Sequence, residues 1–170
     1  VIYLIDANVL ITAHNTYYPV DRVPEFWDWL LHQAKAGVVK MPIEVFEEVM
    51  EGSGDEEKDQ LLGWLNGEGV RAALVLDGEA DIALVQQVLT TAYAADLDDI
   101  ELETIGRDPF LIAQGFAAPA VRTVVSNEVS KNTQQRARRK IPDAGRDVGV
   151  ACCNTFAMLK ALDWRTGWRT

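Results

Sequence analysis

Carboxylates recur in this chain at positions where chemistry is possible. Asp6 directly follows the apolar run Val1 to Ile5, with Asn8 two residues on. Glu128 follows the β-branched run Thr123 to Val125, after Ser126 and Asn127, and Asp108 opens the apolar stretch that starts at Pro109. A further group, Glu44, Glu47, Glu48 and Glu51, sits opposite an apolar stripe of Ile43, Phe46, Val49 and Met50. At ~100° per residue, Glu47 and Glu48 flank that stripe on opposite sides, and periodicity does not choose between them. Clustered carboxylates repel one another unless a hard cation neutralises them, and Mg²⁺ or Mn²⁺ prefers carboxylate and water oxygens. Such a cluster suits phosphoryl chemistry, in which one or two ions orient a water, lower its pKa and offset charge on a phosphodiester. Each acid also has a plainer role open to it. Asp6 reads as an N-cap, Asp108 as an N-cap with Pro109 at the first helical position, and Ser126-Asn127-Glu128 as a polar turn.

Whether the acids meet depends on the elements that carry them. Val1 to Ile5 reads as a buried strand that stops at Asp6, with Val9, Leu10 and Ile11 entering a helix. Pro24 to Ala36 is an amphipathic helix through Phe26, Trp27, Leu30, Leu31 and Ala34, opened by Pro24 and closed by Gly37. Val38 to Met41 is a second strand, and Pro42 opens a helix through Met50 closed by Gly52. The acidic stretch 51–59 reads as a turn or surface loop, after which Leu61, Leu62, Trp64 and Leu65 resume a helix. Ala72 to Leu76 reads as a third strand and Ile82 to Tyr93 as a helix. Pro109 to Ala117 is helical, Val121 to Val125 is a strand, Val148 to Cys152 a weak strand, and Phe156 to Leu162 a last helix. Alternating strands and helices imply right-handed crossovers and a parallel sheet, so a three-layer α/β/α domain is expected. In such sheets ligands sit beyond the carboxyl ends of the strands, which is where Asp6 and Ser126-Asn127-Glu128 would fall.

The chain has 170 residues, 48% hydrophobic and 25% charged, which suits one globular domain over residues 1–170. No apolar run approaches the ~20 residues of a membrane helix, and Asp6 cuts the opening run before a signal-peptide core could form, so a cytoplasmic protein is expected. Cys152 and Cys153 are neighbours without the spaced partners of a disulfide framework or zinc site. His14 and His32 belong to no partner motif and read as packing or surface residues.

The net charge of -10 argues against generic adhesion to nucleic acid, yet it is unevenly spread. Residues 1–120 hold 6 Lys and Arg against 22 Asp and Glu, whereas 121–170 hold 10 against 4. The basic part concentrates in Lys131, Arg136, Arg138, Arg139 and Lys140, a polar stretch able to meet phosphates, or simply a solvated loop.

The ordered motifs Tyr3-Leu4-Ile5-Asp6-Ala7-Asn8-Val9-Leu10-Ile11, Pro42-Ile43-Glu44-Val45-Phe46-Glu47-Glu48-Val49 with Gly52, Asp108-Pro109-Phe110-Leu111-Ile112-Ala113 and Thr123-Val124-Val125-Ser126-Asn127-Glu128 resemble the PIN-domain family of ribonucleases. The likeness is nearest to a PIN-like subfamily without an assigned function, which also shares Phe26-Trp27-Asp28-Trp29-Leu30 and Lys140-Ile141-Pro142-Asp143. The resemblance implies about five parallel strands and an acidic pocket for Mg²⁺- or Mn²⁺-dependent endoribonuclease action. It implies catalytic and metal-binding roles for Asp6, Glu48, Asp108 and Glu128, with Asn8 and Ser126 supporting them and Glu47 a weaker candidate. Glu128 departs from the family, which more often carries Asp there. Many members are toxins of toxin-antitoxin pairs, similar to the virulence-associated type C toxins, so an RNA substrate, an antitoxin partner and a homodimer are implied. Lys131, Arg136, Arg138, Arg139 and Lys140 would then form an RNA-binding arm. A haloacid-type phosphatase would want a second Asp where Asn8 stands, and a dinucleotide-binding fingerprint is missing after Ile5. The competing expectation is a catalytically silent PIN-like domain that binds RNA or protein.

Overall fold

The computed structural model describes residues 1–51 and 56–169, the side chains of 56–59 excepted. Its sheet has four strands among the described residues, all parallel, in the order β2-β1-β3-β4. These are β1 (Ile2–Ile5), β2 (Val39–Lys40), β3 (Arg122–Val125) and β4 (Ala151–Cys153). Leu4, Ile5, Val39, Val124 and Val125 are fully buried, the continuous apolar character expected of strands covered by helices.

Register sets the functional rim. Ile5 pairs with Val125, and Val125 with Cys153, so the three strands end level. The ladder extends one step further, since the Asp6 N–H donates to the Val125 carbonyl at 2.9 Å and the Ser126 N–H to the Cys153 carbonyl at 3.1 Å. Asp6 and Ser126 therefore stand side by side at the carboxyl edge of the sheet.

Helices surround this sheet in α/β order: α1 (Ala7–Thr12), α2 (Pro24–Lys35), α3 (Ile43–Glu51), α4 (Glu56–Leu65), α5 (Val70–Leu74), α6 (Ile82–Val88), α7 (Asp99–Ile105), α8 (Asp108–Phe116), α9 (Ile141–Asp147) and α10 (Thr155–Ala161). Both α1 and α6 run on into wider π-type turns, Ala13–Tyr17 and Leu89–Tyr93. The α8 helix packs against β1 and β3, α2 and α5 against β2, and α9 against β4. The expected helix from Pro24 is α2, with Phe26, Trp27, Trp29 and Leu30 in the core and Gly37 at a positive φ just beyond its end. Among the described residues no helix is long and apolar enough to cross a membrane.

The strand expected at Ala72 to Leu76 is not one, which leaves the sheet with four strands rather than about five. Ala72, Ala73 and Leu74 are strong helix formers and complete α5. Only the next residue keeps sheet character, Val75 making a single parallel bridge to Met41. The weak strand expected over Val148 to Cys152 lies later, because α9 runs to Asp147 and Gly149 turns the chain at φ 76° before β4 can begin. Gly52 lies outside the described residues, as does part of the turn expected over 51–59; within them, Glu51 ends α3 and Glu56 begins α4. Two helices stand where none is expected: α7, which a capping box between Asp98 and Glu101 starts, and α9, which opens with Pro142 in its first turn.

Candidate active site

A cavity lies at the carboxyl rim, about 280 Å³ in volume and lined by Asp6, Asn8, Glu48, Asp108 and Glu128 with Ile11, Val49 and Leu61. Four elements deliver these acids. Strand β1 ends at Asp6, α3 carries Glu48, α8 opens at Asp108, and the segment leaving β3 brings Glu128. Glu48 lines the cavity and Glu47 does not, which separates the two glutamates that periodicity left equal. Glu44 instead turns inward, where its Oε1 accepts the Ala80 N–H at 2.8 Å.

Asp6 is 6% exposed and stands at the N-cap of α1, but its side chain makes no cap bond. Its Oδ2 accepts the Ser126 hydroxyl at 2.9 Å and the Asn8 side-chain amide. The same Asn8 amide reaches Ser126 Oγ at 3.0 Å, while Asn8 Oδ1 accepts the Asn127 N–H at 3.0 Å. Asn127 Oδ1 in turn accepts the Thr155 hydroxyl at 2.7 Å, tying the network to α10. The Asp6 carboxylate is thus aimed into the cavity by a fixed outer layer rather than spent on its helix. Burial pushes its pKa up to about 6 against the Ser126 and Ala7 hydrogen bonds, with Glu128 and Glu48 adding to the rise.

Asp108 is half-buried and makes no side-chain hydrogen bond or ion pair among the described residues. It is the first residue of α8 with Arg107 at the cap, so the capping role expected for it is not taken up. Burial first, then the charges of Asp6, Glu128 and Glu48, push its pKa up to about 8, with Lys140 opposing. Glu48 stands at the exposed lip, raised by partial desolvation while Arg107 opposes and Glu51 adds to the rise. Gly106 leaves space beside it: a Cβ there would lie 3.6 Å from Glu48 Oε1, and the backbone at φ 60° disfavours a side chain anyway.

Glu128 is differently placed. Its Oε1 accepts from the Lys140 ammonium at 2.6 Å and its Oε2 from the Ile141 N–H at 2.8 Å. The basic stretch is likewise not a free arm. Arg136 is clamped by Asp96 and Glu101, each at 2.7 Å, and Arg139 pairs with Asp147 at 2.6 Å. Lys131 and Arg138 are exposed and form no ion pair among the described residues.

One residue at this site carried no signal in the sequence. Tyr93 ends the π-type turn after α6, reads as another apolar helix position, and is 8% exposed. Its buried hydroxyl has no hydrogen-bond partner among the described residues. Burial, then the charges of Asp108 and Glu128, raise its pKa above the ordinary tyrosine range, Arg139 opposing. His14 is buried edge-on to Trp27 and His32 lies against Trp168, neither at the rim. Cys152 and Cys153 are free thiols, and burial pushes Cys152 up to about 11, away from a nucleophilic thiolate.

The arrangement concentrates negative charge that Lys140, paired with Glu128, and Arg107, whose charge acts on Glu48, offset only in part. Asp6 accepts only neutral donors, while Glu48 and Asp108 accept none. Among the described residues, no three of these side chains are already gathered on one point as a finished metal cage. The donors are nevertheless all oxygens, of the kind that suits a hard divalent ion, and Asp6, Glu48 and Asp108 are the ones left available to it. Perturbed carboxyl groups around one cavity also make it a candidate functional site on general grounds.

A family model described as a domain of unknown function, DUF4411, matches residues 3–166. Neither a curated protein nor a solved structure matches the chain.

Proposed function

The chain belongs to the DUF4411 family, and from its rim cavity we propose that it is a Mg²⁺- or Mn²⁺-dependent endoribonuclease with a PIN-like, three-layer arrangement. The observation that carries this reading is the convergence of Asp6, Glu48, Asp108 and Glu128 on one cavity, with two carboxyls strongly destabilised as anions. Asp6, Glu48 and Asp108 would hold the ion. Bound there, it would supply a water of lowered pKa and offset charge on the phosphodiester. Ser126 and Asn8 fix the direction of the Asp6 carboxylate, and the burial of that carboxylate keeps competing water away. Exposed Lys131 and Arg138 supply contacts to RNA phosphates that are independent of base sequence. A role as the toxin of a toxin-antitoxin pair in the cytoplasm, with an antitoxin partner and a homodimeric state, belongs to the same proposal through the PIN-domain resemblance.

The test is cleavage of mixed transfer and ribosomal RNA with Mg²⁺ or Mn²⁺, comparing wild type, Asp6→Asn and wild type with EDTA. Cutting that needs the ion and vanishes in Asp6→Asn is expected. The second reading, a silent RNA- or protein-binding domain, draws on the ungathered acids. It takes over if neither cutting nor calorimetric Mn²⁺ binding is found.

A further inference from the structure

We propose that Lys140 is the resident cation of the acid pocket: it stands in for a second divalent ion, holds Glu128 away from the first, and presents its spare N–H donors to a substrate phosphate. The inference rests on the nuclease reading above and deepens it, because it fixes how many ions the pocket takes and which side chain meets the phosphodiester.

The grip on Glu128 comes from two consecutive residues. Lys140 Nζ lies 2.6 Å from Oε1, and the Ile141 N–H, at the start of α9, donates to Oε2 at 2.8 Å. Both carboxylate oxygens are thereby engaged, leaving Asp6, Glu48 and Asp108 as the open carboxylates around the cavity. Nor does Lys140 swing freely. While Glu128 reaches forward to residues 140 and 141, the buried Asp143 carboxylate reaches back to the Ser130 hydroxyl and to the Lys131 N–H at 2.7 Å. These reciprocal contacts stitch the segment between residues 128 and 143 shut at both ends and fix the ammonium on Glu128, where its charge acts on Asp108.

Charge count points the same way. A phosphodiester adds a negative charge to a cavity that already holds four carboxyl groups, so its approach needs a nearby cation. Arg136 and Arg139 are committed to Asp96, Glu101 and Asp147. Lys140 is the stretch's cation paired to a pocket acid, and its side chain is 31% exposed. An ammonium has three donors. Glu128 takes one, and the others make no hydrogen bond among the described residues. They are free for a non-bridging phosphate oxygen.

The test is calorimetric titration of the full chain with Mn²⁺, alongside RNA cleavage and melting curves, for wild type, Lys140→Met, Lys140→Arg and Glu128→Gln. Wild type is expected to take one ion per chain. Lys140→Met removes the repelling ammonium and releases Glu128, so Mn²⁺ should bind at least about tenfold more tightly, or a second ion should enter, while RNA cleavage falls. Lys140→Arg should keep the wild-type ion affinity. Glu128→Gln leaves the ammonium uncompensated and should weaken Mn²⁺ binding by a similar factor, which keeps the test decisive if Lys140→Met does not fold. Unchanged or weaker Mn²⁺ binding in folded Lys140→Met would overturn the inference and make Lys140 a strut for Glu128, as would two ions in wild type, with the nuclease reading standing in both cases. Wild type that neither binds Mn²⁺ nor cuts RNA would bring down the nuclease reading and this inference together.

Discussion

Ser126 donates its hydroxyl to the Asp6 carboxylate at 2.9 Å across 120 residues of chain. The bond exists because β1 and β3 are adjacent, parallel and end level, and it makes Ser126 a support of the first acid as well as a turn residue whose Oγ accepts the Glu128 N–H at 3.2 Å. Outer-layer partners of a metal ligand cost roughly 10–100-fold in affinity or activity when removed. Ser126→Ala should therefore lower metal-dependent cleavage by about that factor while the far-ultraviolet spectrum stays the same. Asp6→Asn should lose more, about 10²-fold or beyond, on the scale of a deleted transition-state stabiliser.

The raised carboxyl groups give stability a definite slope with pH. An unfolded Asp ionises near 3.8, whereas Asp6 and Asp108 hold their protons in the folded chain up to about 6 and about 8. The stability they contribute is fully present below the unfolded value and is lost as pH rises through the folded ones. With EDTA, the melting temperature of wild type should fall between about pH 5 and about pH 8, and Asp108→Asn should flatten that fall. On the proposed reading, added Mn²⁺ would bind the ionised carboxylates, so its stabilising effect should be larger at the upper end of the range. An identical slope in wild type and Asp108→Asn would show that the titration arises elsewhere.

Among the basic residues, ion pairing separates those that could bind RNA from those that hold the fold. Lys131→Glu combined with Arg138→Glu should weaken RNA binding and reduce the slope of log affinity against log salt by about one for each phosphate no longer neutralised. Arg139→Glu should instead act through stability, since it sets a second carboxylate against Asp147. Fluorescence titration at several salt concentrations, with melting curves for each variant, distinguishes the two effects.

Tyr93 carries a buried hydroxyl without a partner among the described residues. Such a group costs roughly 1–3 kcal/mol, so Tyr93→Phe should stabilise the ion-free protein by about 1 kcal/mol in urea unfolding. A loss of stability would mean that the hydroxyl is satisfied, through water, by the acids whose charge it feels.

Much of the fold was legible because its strong signals are local. The strand before Asp6, the caps of α2 and the β-branched run of β3 each follow from a few neighbouring residues. Ala72 to Leu76 misled because a short apolar run fits strand and helix alike, and its alanines settle the matter only through their backbone preference. The rim positions of Asp6 and Glu128 were likewise readable from the strand ends they follow, whereas Glu48 and Asp108 sit on helices. What periodicity could not show is partnership over distance: that Glu48 and not Glu47 reaches the cavity, that Arg136 docks on Asp96 and Glu101, and that Lys140 is held by Glu128. Tyr93 was invisible for the same reason, since only tertiary packing buries its hydroxyl where the Asp108 charge acts on it.

On the ribonuclease reading proposed above, the placement of β1 between β2 and β3 bears on when the site is completed during synthesis. A ribosome that has released the first half of the chain has delivered Asp6 and Glu48, but their neighbours Asp108, Ser126 and Glu128 are still to be synthesised. At ~5–20 residues per second, several seconds pass before β3 can pair beside β1 and the remaining acids arrive. On that reading, cutting power would emerge only after Glu128 has been made and β3 has paired, so the growing chain would until then be harmless to the RNA machinery that is building it.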